Sequence, residues 1–208
     1  DVLYLVRSAN AVFPNARLGM TDVIAAWAGL RPLLKGGGDS TATVPREHRI
    51  VESASGLVTI AGGKLTTYRV MAAQTVDVVA RRLRALDGRP LPRRAATDRE
   101  PLPGGEVRDL DALTEELAQE GLSAVVARHL VVSYGTEARA IANLMAADRS
   151  LAGPLVPDGP WRLAEVVYQA RREMALTVSD VLIRRTHAFH LRADQALSAA
   201  PVVAQLLA

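Results

Sequence analysis

Apolar positions along this chain follow two periods, and the change between them divides it. Asp1–Asn10 repeats at helical spacing, with Leu3, Val6 and Asn10 on one face, and Pro14 ends the run. Thr21-Asp22 reads as an N-cap pair for a short helix or strand entering Trp27. Two short runs, Arg49–Ser53 and Leu57–Ala61, flank Ser55-Gly56 and predict a β-hairpin. A long helix then follows over Thr66–Leu86, with Val70, Ala73, Val76, Val79 and Leu83 as its expected core face.

The pattern breaks between Asp87 and Gly105. Pro90, Pro92, Pro101 and Pro103 crowd this stretch together with Gly88, Gly104 and Gly105, and few apolar residues accompany them, so an exposed connector is expected. From Asp109 the helical period returns. Leu110, Leu113 and Leu117 define one helix that Gly121 stops. Ser123 caps a second through Val132, and Thr136-Glu137 opens a third through Ala147. Two more are expected over Trp161–Arg172 and Met174–Arg185, with Asp194 capping a last one. The fold class read from this is α+β, with three parts: 1–86 with the hairpin, a linker 87–105, and an all-α bundle over 106–208.

Composition narrows the function. Apolar residues make up 49% of the 208 and aromatics only 4%, so Val, Leu, Ile and Ala must build the core. The net charge of +3 lacks the clustered excess of a nucleic-acid binder, and the linker arginines Arg89, Arg93, Arg94 and Arg99 alternate with Asp87, Asp98 and Glu100. Cysteine is absent, which excludes disulfides, thiolate metal sites and thiol nucleophiles. No uninterrupted apolar run reaches the ~18 residues of a membrane span.

The densest chemical signal is Thr59–Arg69, T-I-A-G-G-K-L-T-T-Y-R. A strand, the pair Gly62-Gly63, the cation of Lys64 and a helix start follow in order. Glycines admit close approach to the backbone, and the first helical turn offers unpaired N–H groups with partial positive charge. An anion or carbonyl site is one reading; a plain tight turn is the other. A Walker A loop is excluded, because its first Gly and its Ser/Thr places hold Val58 and Leu65.

Three blocks then carry a resemblance: Trp27-Ala28-Gly29-Leu30-Arg31-Pro32-Leu33, Pro45-Arg46-Glu47-His48, and Gly62-Gly63-Lys64-Leu65-Thr66-Thr67-Tyr68-Arg69. At that order and spacing they resemble the FAD-dependent glycerol-3-phosphate dehydrogenases and the related oxidases. Glu173-Met174-Ala175-Leu176-Thr177, Asp180-Val181-Leu182 and Arg184-Arg185-Thr186 resemble the helical C-terminal domain of the same family. The family's dinucleotide fingerprint G-x-G-x-x-G is not among these residues, and the resemblance therefore implies a piece of a longer flavoenzyme that continues at both ends.

The resemblance implies oxidation of sn-glycerol 3-phosphate to dihydroxyacetone phosphate, with hydride passing to FAD and electrons to a quinone, or to oxygen in the oxidases. Its implied substrate residues are Arg31, Arg46 and Lys64, with Arg31 and Lys64 also catalytic. Guanidinium suits phosphate through two parallel hydrogen bonds. Gly62, Gly63, Lys64, Leu65 and Thr66 would face the flavin, and the Asp22–Gly29 segment would be a strand reaching the site. A cytoplasmic protein is implied, with peripheral attachment to the inner face of the cell membrane and a homodimer both compatible. The general base is placed outside this chain. The competing class is a helical interaction or dimerisation module, inert alone.

The remaining candidates read as structural. His187 and His190, three apart, lack a carboxylate and make a poor metal site. His129 lies in an apolar helix as a packed or boundary histidine. Glu173, Asp180, Arg184 and Arg185 read as a charge network that fixes packing.

Overall fold

The computed structural model describes residues 1–30, 47–91 and 95–208. They form two compact units, one joining Asp1–Ala28 to Leu102–Ala208, the other running over Gly29–Pro101. The division at 86 and 105 drawn from the sequence puts residues 1–28 with the hairpin; by contact they group with the helices.

The smaller unit is a hairpin carrying one helix. β1 (His48–Glu52) pairs antiparallel with β2 (Val58–Gly62), in a register that sets His48 against Gly62 and Ile50 against Ile60. The turn closes with Gly56 N–H donating to Ser53 O (2.9 Å) and Leu57 N–H donating to Ser53 Oγ (3.1 Å), and Gly56 takes φ +91°, where only glycine sits without strain. α2 (Tyr68–Asp87) follows, and Gly88 at φ +73° stops it in the left-handed conformation that frees the last carbonyls for capping.

The expected core face of α2 is covered only at Ala73. Met71, Ala73, Thr75, Val78, Ala80 and Arg82 are the half-buried positions, while Val70, Val79 and Leu83 are exposed and Val76 is 56% exposed. The hairpin selects this face with polar ties at both ends: His48 Nε2 donates to Gln74 Oε1 (2.6 Å), and Arg82 pairs with Glu52 (3.2 Å). α2 therefore has two apolar stripes, and periodicity alone does not say which the hairpin covers. No described residue of this unit is fully buried.

In the larger unit, α1 (Val2–Val12) has no fully buried residue, and Val2, Val6, Ala9 and Asn10 are half-buried. Asn10 serves as a clasp rather than a core position, since its side chain donates to Leu18 O (2.8 Å) and accepts from Leu18 N–H (2.7 Å). A 3₁₀ turn covers Met20–Asp22, and the segment from Val23 onward is not a strand. A strand needs a neighbour to receive its ladder, and the only sheet among the described residues is the hairpin.

The helices after the connector pack around two cores. α3 (Leu110–Gln119) is capped by Asp109 Oδ1, which accepts from Asp111 N–H (2.9 Å) and Ala112 N–H (3.0 Å). α4 (Ala124–Tyr134) is capped by Ser123 and ends at Gly135; a 3₁₀ turn over Gly135–Glu137 leads into α5 (Ala138–Ala147). Leu117, Leu130, Val131, Ile141, Ala164 and Tyr168 form the first core. Val156, Trp161, Val166, Val181, Leu182 and Val203 form the second. α6 (Leu163–Arg172) feeds both and is the central helix.

The last third is more broken than its periodicity predicts. The helix expected from Met174 begins only at 178 and runs as a π-helix over Asp180–Arg185. Met174 adopts φ +54°, and the Asp180 carboxylate accepts from Leu176 N–H (3.0 Å) and Thr177 N–H (2.9 Å) while Thr177 Oγ1 accepts from Asp180 N–H (3.1 Å), a reciprocal helix start in the middle of the expected helix. α7 (Ala188–Leu191) and α8 (Ala200–Leu207) complete the fold. Asp194 caps the 3₁₀ turn Leu197–Ala199 ahead of α8 rather than α8 itself, accepting from Ala196 N–H (3.1 Å) and Ser198 Oγ (2.9 Å).

Candidate functional site

The loop between β2 and α2 turns on its glycines. Gly62 and Gly63 lie at φ +79° and +82°, both in the left-handed region. A Cβ on Gly63 would also meet Met71 Sδ at 2.6 Å and His48 Cβ at 3.1 Å. The double glycine thus lets the chain leave β2 and pass beneath α2 without a side chain in the way. Gly63→Ala should cost about 1–3 kcal/mol, because strained backbone and lost space act together, although Met71 can yield in part. Urea denaturation of mutant and wild type would measure it.

After the glycines the chain extends at Lys64 and tightens into a 3₁₀ turn over Leu65–Thr67. Thr67 fastens this turn: its Oγ1 donates to Lys64 O (2.9 Å) and accepts from Lys64 N–H (3.3 Å). The N–H groups at the start of the turn have no preceding carbonyl in the helix to bond and point their partial positive charge outward. Lys64 is exposed and forms no ion pair among the described residues; Leu65 is 89% exposed. Gly62, Gly63, Lys64, Leu65 and Thr66 are therefore brought together at one exposed corner. The arrangement can accept an electron-rich edge, carbonyl or anionic, from outside the unit.

Arg31 and Arg46, and the glycine triplet Gly36–Gly38, lie outside the described residues. Trp27 belongs to the helical unit, where its ring lies 4.3 Å from that of His190, centroid to centroid. His190 in turn stands 6.1 Å from His187 and 5.1 Å from Phe189, an aromatic cluster. Among the described residues no three His, Cys, Asp or Glu side chains gather where they could hold a metal ion.

Sequence reasoning missed a buried polar network inside the helical unit. Glu165 and Gln169, one turn apart on α6, are both fully buried. Glu165 Oε1 accepts from Arg162 N–H (2.6 Å), while Oε2 accepts from His129 Nε2 (2.9 Å) and Tyr134 OH (2.8 Å). Gln169 Nε2 donates to the same phenol oxygen (2.7 Å). Burial, with the Glu165 carboxylate second, pushes the Tyr134 phenol well above its ordinary pKa. Tyr168 is shifted the same way by burial and by its hydrogen bond to Glu137 (2.7 Å). The available signal was Glu165 at the third position of its helix, where a carboxylate can reach back to the first N–H groups. His129 packs as expected, tied to Glu165.

The expected charge network forms: Arg184 pairs with Asp180 (2.9 Å), and Arg185 with Glu173 (3.5 Å). Burial raises the Glu173 pKa, with Arg185 opposing.

Comparison with known proteins places these features. Residues 95–208, more than half of the chain, match the family described as the C-terminal domain of alpha-glycerophosphate oxidase. The chain belongs to that family. Its relatives carry consistent names. It is 35% identical to the aerobic glycerol-3-phosphate dehydrogenase of Staphylococcus haemolyticus, over 88% of this chain and 33% of that protein. It is 37% identical to a probable mitochondrial glycerol-3-phosphate dehydrogenase of Dictyostelium discoideum, over 94% of this chain and 31% of that protein. A crystal structure of glycerol-3-phosphate dehydrogenase from Bacillus halodurans complexed with FAD superposes with a TM-score of 0.72 at 32% identity, covering all of this chain and 40% of that one. The chain thus spans about a third of the length of the curated relatives it matches. In this alpha-glycerophosphate oxidase family the helical unit is the matching domain, and the two-core bundle around α6 is its form here.

Proposed function

We propose that this chain is part of an FAD-dependent glycerol-3-phosphate dehydrogenase and that it contributes the loop at the flavin edge, the substrate-gripping arginines and a helical domain. The observation that carries the reading is the exposed corner after β2, where two left-handed glycines deliver Lys64 and the free N–H groups of a helix start to open solvent. The donor set fits the carbonyl-rich edge of a flavin: backbone N–H groups beside a cation, with no carboxylate opposing them in the loop. When bound, FAD supplies the two-electron acceptor for the alcohol. Leu65 and Thr66 would hold its ring through backbone N–H groups, and Lys64 would neutralise charge there or hold a substrate oxygen. Arg31 and Arg46 would grip the substrate phosphate, each through the paired donors of its guanidinium.

The uncovered stripe of α2, with Val70, Val76, Val79 and Leu83, supports this role, since the flavin-holding part of a longer protein would bury it. Electrons would leave to a quinone, which puts the whole protein at the inner face of the cell membrane as a peripheral protein. No helix of the described residues is long and apolar enough to cross a membrane. Lys64→Met in the full-length protein tests the assignment. Glycerol 3-phosphate turnover should fall by at least about tenfold while the fold persists, the scale of a lost charge in a partly desolvated site. Unchanged turnover would remove Lys64 from the site. Comparing a quinone analogue with oxygen as acceptor distinguishes dehydrogenase from oxidase.

The helical unit has two buried cores of its own, which favours a second reading for this piece by itself: a folded but catalytically inert domain. Expressed alone, the 208-residue chain should purify without flavin. One ring edge gripped by a few backbone groups cannot replace the pyrophosphate cradle that dominates dinucleotide affinity. A yellow preparation with one flavin per chain would overturn this expectation.

A further inference from the structure

One threonine in the loop after β2 departs from the use its place in the chain predicts. Thr67 immediately precedes α2, where a hydroxyl ordinarily accepts from the second or third N–H of the helix it caps. No such side-chain bond forms at the start of α2. The Thr67 hydroxyl turns back to Lys64 instead, donating to Lys64 O (2.9 Å) and accepting from Lys64 N–H (3.3 Å). Thr67 N–H donates to the same carbonyl (3.0 Å), and Met71 Sδ stands 3.5 Å from the hydroxyl as its alternative acceptor.

A helix of 20 residues thus forgoes its side-chain cap, and the hydroxyl holds one lysine. Both backbone groups of Lys64 are engaged by Thr67, which keeps Lys64 extended (φ −123°, ψ 149°) between the left-handed Gly63 and the 3₁₀ turn. The Leu65 and Thr66 N–H groups, by contrast, find no acceptor among the described residues. Met71 supports both features. Its Sδ meets the Thr67 hydroxyl and also fills the space beside Gly63, where a Cβ would lie only 2.6 Å from it. The clasp and the glycine turn therefore share one support. Departures from a local rule of this kind collect where a site needs a fixed geometry.

We propose that Thr67 is a positioning residue for flavin reduction, a role that rests on the flavin-edge reading of this loop. Its hydroxyl holds Lys64 so that the ammonium and the N–H groups of Leu65 and Thr66 meet one ring edge together. Negative charge grows at that edge as the ring is reduced, and donors already aligned favour the reduced ring without rearranging. Thr67 touches neither substrate nor ring in this assignment and acts through Lys64. The substrate phosphate belongs to the arginines. Loss of the hydroxyl therefore falls on the reduction step and on the flavin's potential, and little on the affinity for glycerol 3-phosphate.

Three variants of the full-length protein test this. Thr67→Val keeps the shape and removes the hydroxyl, and Thr67→Ser keeps the hydroxyl. Thr75→Val removes a hydroxyl that only bonds within α2, to Met71 O (2.8 Å). All three should purify with FAD, because the pyrophosphate cradle dominates dinucleotide affinity. In Thr67→Val, reduction of the flavin by saturating glycerol 3-phosphate should slow at least about tenfold, with KM changed by less than about twofold. Its flavin midpoint potential should become more negative. Thr67→Ser should restore both rate and potential, and Thr75→Val should match wild type in both. Unchanged rate and potential in Thr67→Val overturn the proposal. So does a Thr67→Ser protein no better than Thr67→Val, or a Thr67→Val protein that purifies without FAD. A wild-type flavin that glycerol 3-phosphate does not reduce would instead remove the flavin-edge reading itself, and this role with it.

Discussion

Arg31→Ala in the full-length protein should lower kcat/KM for glycerol 3-phosphate by about 2–5 kcal/mol in transition-state terms, the scale for removing one partner of a desolvated charge pair. The expectation rests on the resemblance carried by Gly29-Leu30-Arg31-Pro32 and on the match between guanidinium and phosphate geometry. Arg31→Lys should recover only part of the loss, because an ammonium is a point charge without the fork. Glycerol, which has no phosphate, should be turned over equally poorly by mutant and wild type. Steady-state kinetics on both substrates check this. Equal efficiency of mutant and wild type on glycerol 3-phosphate would remove Arg31 from the site.

Glu165→Ala should destabilise the helical unit by about 3–5 kcal/mol, the range for stripping one partner from a buried charged network. Three donors lose their acceptor at once: the Arg162 N–H at the start of α6, His129 Nε2 and the Tyr134 hydroxyl. The carboxylate they share is completely enclosed, while His129, Tyr134 and Arg162 are themselves partly buried. Glu165→Gln should cost less, about 1–2 kcal/mol, since the amide keeps one acceptor and its volume. Chemical denaturation followed by circular dichroism would rank the two. Equal stability of Glu165→Ala and wild type would show that the network adds nothing to the fold.

The sequence made much of this molecule legible, and the gaps have physical causes. The hairpin about Ser55-Gly56 and the helix starts at Asp109 and Ser123 were readable because local hydrogen bonds fix them: a left-handed glycine and side-chain caps. The exposed corner at Gly62–Thr66 was readable for the same reason. The buried face of α2 was not, because two apolar stripes compete and only the partner decides. The break at Met174–Thr177 hid inside a helical period, since Asp180 captures the Leu176 and Thr177 N–H groups through space and not through pattern. Glu165 and Gln169 escaped notice because polar residues on a helix ordinarily mark its wet side, and here they line the centre of the bundle. The Asp22–Gly29 strand implied by the resemblance needs a sheet neighbour that the described residues do not provide.

The role of the whole protein is tested most directly by anaerobic titration of the full-length protein with glycerol 3-phosphate while its visible flavin absorbance is followed. The proposed function predicts a protein that purifies with one FAD and loses its oxidised-flavin band on adding glycerol 3-phosphate, with dihydroxyacetone phosphate formed in equal amount. Glycerol at the same concentration should leave the band in place. A protein that purifies with FAD but whose band is unmoved by glycerol 3-phosphate, or one that carries no flavin, would contradict it.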